Sequence, residues 1–173
     1  MEIPSEGYEI RQARLFVENR DEFLRIIQEI ARRNSTHLVC FDANNMTGRR
    51  HAEVAIQYAR RSFFSGKAIS NSFEMEALLF AAGSRQCTVA ALFGIHEQEN
   101  EIFVCSYPIS ECVWEDLSKY MHFVEETWEE ITPDKEVRIK SLFGISQEEL
   151  ELVGTERIKD LVRERIALLE VNR

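Results

Sequence analysis

The stretch that most constrains this chain is Phe73 to Ala82, Phe-Glu-Met-Glu-Ala-Leu-Leu-Phe-Ala-Ala, apolar everywhere except Glu74 and Glu76. Asn71 supplies an N-cap, Glu74 stands three residues later in the capping-box place, and Gly83 supplies the stop. At about 100° per residue the two glutamates fall on different sides of the helix. A helix apolar nearly all round has no face to give to water, so the rest of the chain must wrap it. The sequence therefore predicts a buried central helix.

The flanks of that helix are polar in a way the core does not require. Lys67, Ser70, Asn71 and Ser72 precede it; Ser84, Arg85 and Gln86 follow it. They are the first candidates for function. Helix capping is the simpler account of Asn71 and Ser72. A buried carboxylate at Glu76 needs a partner, and Arg85 or a backbone amide is the expected one.

Around this centre the chain reads as alternating short elements. Tyr8–Val17 is a first strand. Asn19 caps a helix over Asp21–Arg33, whose Leu24, Ile27, Ile30 and Ala31 form one apolar face. His37–Phe41 is a buried strand, followed by the polar loop 42–48 and a helix over Arg50–Phe63. Gln86–Phe93 is a short helix ended by Gly94, and Glu101–Tyr107 is the clearest strand, closed by Pro108. A helix is expected from Ser110 to about Phe123, and Val124–Ile131 is ambiguous. Thr132-Pro133 opens a helix that stops at Gly144, Ser146 to Glu149 is a capping box, and Thr155 caps a last helix through Leu169. The reading is a single helix-dominated α/β mixed (α+β) domain, with three or four strands and seven or eight helices. The one hinge position lies near Gly144–Gly154.

Composition narrows the class. The net charge of −9 is uneven: residues 49–86 carry six basic and three acidic groups, residues 87–173 nine basic and nineteen acidic. An acidic protein with a basic middle binds nucleic acid locally, with a salt-dependent affinity; a few solvated arginines explain the same charge equally well. The longest apolar run, Ala77–Ala82, is too short for a membrane span, and Met1–Tyr8 lacks the pattern of a signal peptide. Cys40, Cys87, Cys105 and Cys112 never form Cys-x-x-Cys, and buried free thiols in the cytoplasm are expected, with a disulfide left open.

Catalytic signatures are missing. There is no glycine-rich phosphate loop and no Gly-x-Ser-x-Gly. His37, His51, His96 and His122 are scattered, none at zinc spacing, so neither a metal nor a cofactor is expected. This silence argues against an enzyme. An enzyme built on Glu76, His51 or Cys87 is the outlying alternative.

Several phrases carry a family resemblance: Lys67-x-Ile69-Ser-Asn71-Ser72-Phe73-x-Met75-Glu76, then Ser84-Arg85-Gln86, Gly94, and finally Glu164-Arg-Ile-Ala-Leu-Leu-Glu170. Together they resemble the small kinase-binding subunit of the KEOPS complex, the TPRKB family of eukaryotes, and the short chain suggests an archaeal form. The resemblance runs from about His37 to the end. It implies a non-catalytic subunit of the machine that makes threonylcarbamoyladenosine in tRNA. Such a subunit binds and stimulates the complex's small atypical kinase and binds the single-stranded 3′ CCA end of tRNA.

On that reading Lys67 and Arg85 contact phosphates, while Asn71, Ser72 and Gln86 meet base edges or the 2′-hydroxyl. Arg49, Arg50 and His51 extend the track. The chain departs from the family at Cys87, where an aliphatic residue is usual, and the acidic segment Glu125–Glu136 has no assigned role. The last helix carries an apolar stripe wider than docking on a core needs. It is the expected kinase surface through Leu161, Leu168 and Leu169, joined by the helix Asp21–Arg33. A pure kinase-docking protein with no RNA contact is the alternative.

Overall fold

A computed structural model describes residues 7–172; most of the segment read for a signal peptide, residues 1–6, lies outside them. The chain begins with strand β1 (Glu9–Val17) and helix α1 (Arg20–Arg33). The Asn19 side chain caps α1, accepting the Glu22 N–H at 2.9 Å. Strand β2 (His37–Asp42), helix α2 (Arg49–Phe64), helix α3 (Phe73–Ala82) and the single turn α4 (Cys87–Ala90) follow. Strand β3 (Gln98–Tyr107), helix α5 (Val113–Leu117), strand β4 (His122–Val124) and helices α6 (Pro133–Phe143), α7 (Gln147–Val153) and α8 (Ile158–Asn172) complete it.

The four strands form one antiparallel sheet in the order β2-β3-β1-β4. Its faces bury different sets, as the two-residue strand period requires. Val39 and Phe41 of β2 and Phe103, Cys105 and Tyr107 of β3 face α2, α3 and α8. Leu38 of β2 and Ile102 and Val104 of β3 face α1 and α5.

Helix α3 is the centre of the larger layer. Phe73, Ala77, Leu79, Phe80 and Ala81 have no exposed surface, and each phenylalanine contributes about 1.5–3 kcal/mol by burial. Ser72, not Asn71, is its N-cap, accepting the Met75 N–H at 3.1 Å. Glu74 instead meets His37 Nδ1 at 2.7 Å. Gly83 takes the left-handed conformation (φ 59°) and returns the Gly83 and Ser84 N–H groups to the last carbonyls of α3.

The structure departs from the sequence reading in further places. Helix is confined to Val113–Leu117 in the region read as helical from Ser110 to Phe123, because His122–Val124 pair with Arg14–Gln12 on the open edge of β1. Cys105 is buried and Cys40 half-buried, but Cys87 and Cys112 are exposed; all four are free thiols. The ambiguous run after Val124 forms neither helix nor strand. It is an acidic strap: Glu126 pairs with Arg14 at 2.9 Å, and Glu129 accepts the Arg49 N–H at 2.8 Å and meets Lys159 at 2.9 Å. Its Trp128 packs edge-on against Phe103, and its carbonyl receives Lys135 Nζ at 3.2 Å. Finally, α1 and α8 serve opposite sides of the sheet, so they do not make one continuous docking surface.

Candidate functional site

Glu76 organises the loop before α3. Its side chain is fully buried, and its carboxylate accepts the Ile69 N–H at 3.0 Å, the Ser70 N–H at 2.8 Å and the Ser62 hydroxyl at 2.9 Å. The backbone-amide partner expected for Glu76 is therefore the observed one, and Arg85 takes no part. One buried anion thus fixes the backbone between Lys67 and Asn71, whose side chains are exposed together with that of Ser72.

Ser84, Arg85 and Gln86 leave the opposite end of α3. A helix of ten residues is about 15 Å long, so the two polar groups are separated by that distance. The Gly83 turn lies against α8: a side chain at Gly83 would lie 3.5 Å from Arg165 backbone. The Arg85 guanidinium donates to the Asn172 carbonyl of the last turn of α8 at 3.0 Å. Arg85 and Gln86 are exposed, and the Gln86 N–H is held by the Ser84 hydroxyl at 3.1 Å. The five candidates are thus surface groups on two hydrogen-bonded loops, joined by α3.

Of the extension through Arg49, Arg50 and His51, His51 is removed by burial, while Arg50 stays exposed and Arg49 half-buried. His51 is 1% exposed, its Nδ1 accepting the Thr47 N–H at 3.0 Å and its Nε2 donating to the Ala81 carbonyl at 2.8 Å. Burial lowers its pKa to about 4, so the ring is neutral. Arg49 donates to the Ile10 carbonyl at 2.8 Å and, like Arg50, pairs with Glu53.

On α8, Leu161 and Leu169 are core residues, at 5% and 7% exposure, whereas Leu168 is 47% exposed. The apolar stripe is wide because most of it packs: Ile158, Leu161, Val162, Ile166 and Leu169 all enter the main core. Leu161 and Leu169 are corrected as surface contacts on that ground. What projects is Leu168 with Val171, one turn apart, and Leu152 and Val153 on α7. Of the exposed pair on α8, Leu168 is among the contacts expected from the stripe and Val171 is not, since it follows the residues that set the period. Arg85, which donates to the next residue's carbonyl at Asn172, is distant in sequence.

Glu76 and His51 are buried, and each is held by hydrogen bonds within the chain. Among the described residues no cluster of three or more His, Cys, Asp or Glu side chains stands in position to hold a metal ion. No described helix is long and apolar enough to cross a membrane.

Fold and surface define a helix-dominated α+β domain with exposed apolar side chains on α8 and exposed polar loops at both ends of the central helix. Residues 17–170 match the family model described as kinase binding protein CGI-121, and the chain belongs to that family. No curated protein matches the chain.

Proposed function

We propose that this chain is the non-catalytic subunit of a KEOPS complex that docks the complex's small atypical kinase and helps recruit tRNA by its single-stranded 3′ CCA end. The family supports the kinase partner. The observation that supports the RNA role is the exposure of Lys67, Asn71, Ser72, Arg85 and Gln86 on two hydrogen-bonded loops, the first of them held by the buried Glu76. Cations for phosphate and amide or hydroxyl groups for bases are what a single-stranded end requires. On the kinase side, Leu168 and Val171 are the exposed apolar side chains α8 has to offer, and the bond from Arg85 to the Asn172 carbonyl supports an RNA surface near the end of the same helix.

The test is binding of the purified chain to full-length tRNA and to the same tRNA lacking CCA, at low and high salt. CCA-dependent binding, weakened several-fold by Lys67→Ala or Gln86→Ala, supports the reading. Arg85→Ala is less clean, because it also releases the end of α8. Binding indifferent to CCA, or no binding, leaves pure kinase docking, and Asn71 and Ser72 then serve only the backbone around them.

A further inference from the structure

A cavity of about 450 Å³ opens between the acidic strap and the start of α6. Asn44 lines it from beyond β2, Trp128 and Glu129 from the strap, and Thr132, Lys135 and Arg138 from α6. Lys135 carries the only amine among the described residues that line it. Its Nζ donates to the Trp128 carbonyl at 3.2 Å. Both partners line the cavity, so the ammonium stands at its wall although the residue is only 6% exposed. That carbonyl uses one of the three N–H groups an ammonium carries.

We propose that Lys135 is a carbon dioxide site, its amine taking up CO2 as a carbamate inside this cavity. The ammonium first releases a proton to solvent. The nitrogen lone pair then attacks the carbon of CO2 as one C=O π pair moves onto oxygen, and the nitrogen gives up a second proton to water. One N–H remains and keeps the Trp128 carbonyl as its acceptor. The side chain thus exchanges a cation for an anion without losing its bond to the strap.

The surroundings favour that exchange. Burial, then Lys159 and Arg138, lower the pKa of Lys135 to about 8, and both cations act on it more strongly than the nearby carboxylates of Glu129 and Asp42. Neighbours that oppose an ammonium stabilise an anion in its place. Near pH 8 roughly a hundredfold more of this amine is unprotonated than of an exposed lysine, and only the unprotonated amine reacts. The Thr132 hydroxyl oxygen accepts the Lys135 backbone N–H at 3.3 Å, which leaves its own proton to donate. Charge also selects the reagent. Glu101 and Glu126, both on Arg14, and Glu129 and Glu130 line the cavity as well. They repel anionic acyl donors, whereas CO2 is small and uncharged.

The test equilibrates the full chain with carbon-13-labelled CO2 and bicarbonate at about pH 8.5 and follows the carbon resonances. A carbamate resonance that is absent from Lys135→Met is expected. At the same dissolved CO2 it should fall about tenfold or more near pH 6, where the ammonium prevails. Treating the equilibrated wild type with a trialkyloxonium salt, which fixes a carbamate as its ester, should mark Lys135 in peptide mass spectrometry. That locates the group even if the variant misfolds. Because the unfolded chain holds its lysine protons more tightly, dissolved CO2 should also raise the Tm of the wild type and not that of Lys135→Met. Esters found only on the α-amino group or on exposed lysines would overturn the proposal. So would a carbamate resonance, or a rise in Tm, that is the same in a folded Lys135→Met protein.

Discussion

The Nε2 of His51 donates to the carbonyl of Ala81 at 2.8 Å, joining the first turn of α2 to the last turn of α3. That carbonyl belongs to the end of a helix, where no amide of the helix itself can reach it. The other ring nitrogen accepts the Thr47 N–H. Both bonds require the neutral ring with its proton on Nε2.

Acid should therefore weaken the fold through His51. Burial first, opposed by the bond to Ala81, brings its folded pKa to about 4, below the 6.5 of a free histidine. Between these values the unfolded chain takes up the proton and the folded chain does not. The stabilisation is complete above about pH 6.5 and lost as pH falls to about 4, by roughly 3 kcal/mol. Urea melts at several pH values check this: the slope in that window is expected to shrink in His51→Gln.

Replacing Glu76 should loosen the loop that carries Lys67 and Asn71. Glu76→Ala leaves two half-buried amides and the buried Ser62 hydroxyl without their acceptor and costs about 2–4 kcal/mol. Hydrogen exchange at Ile69 and Ser70 is expected to accelerate more than exchange elsewhere in α2 and α3. Uniform acceleration would mean that Glu76 supports only global stability.

Adjacent leucines on α8 should behave oppositely. Leu168→Asp is expected to keep the melting temperature and to weaken kinase binding at least tenfold, about 1.4 kcal/mol. Leu169→Ala is expected to cost about 2–4 kcal/mol of stability. A Leu168→Asp protein that melts normally and binds the kinase normally would remove α8 from the interface.

Lys135 is a buried cation whose pKa burial lowers to about 8, with Lys159 and Arg138 adding repulsion. Near pH 7 its charge therefore opposes folding. Lys135→Met is expected to stabilise the protein by about 1 kcal/mol at that pH, despite losing the bond to Trp128. The cost of the charge disappears as pH rises from about 8 past the unfolded pKa near 10.5, so the gain should vanish there. Thermal melts at pH 7 and above 10 distinguish this from a simple packing gain.

What was legible in the sequence was local. Asn19 before α1, Thr132-Pro133 before α6 and Ser146 before α7 mark their helices because the cap bonds close within three residues. Phe73–Ala82, apolar except at Glu74 and Glu76, announced a central helix by the same economy, as no solvated face was left. Residue types also narrowed the candidate RNA contacts to the flanks of that helix.

Partnership over distance needed the tertiary structure. Three consecutive residues, His122–Val124, became a strand only because β1 offered an open edge. The acidic segment looked unassigned until Arg14, Arg49 and Lys159, far apart in the chain, were brought against it. Leu168 and Leu169 are alike in composition and adjacent in sequence, yet one projects and one packs. The sequence by itself determined the helices that carry their own caps and that the one spanning Phe73–Ala82 must be buried, since those follow from near-neighbour bonds and the period of apolar residues. Only the tertiary structure decided which side of each helix met the core, and so which residues remained on the surface to recognise anything, because burial depends on what packs opposite.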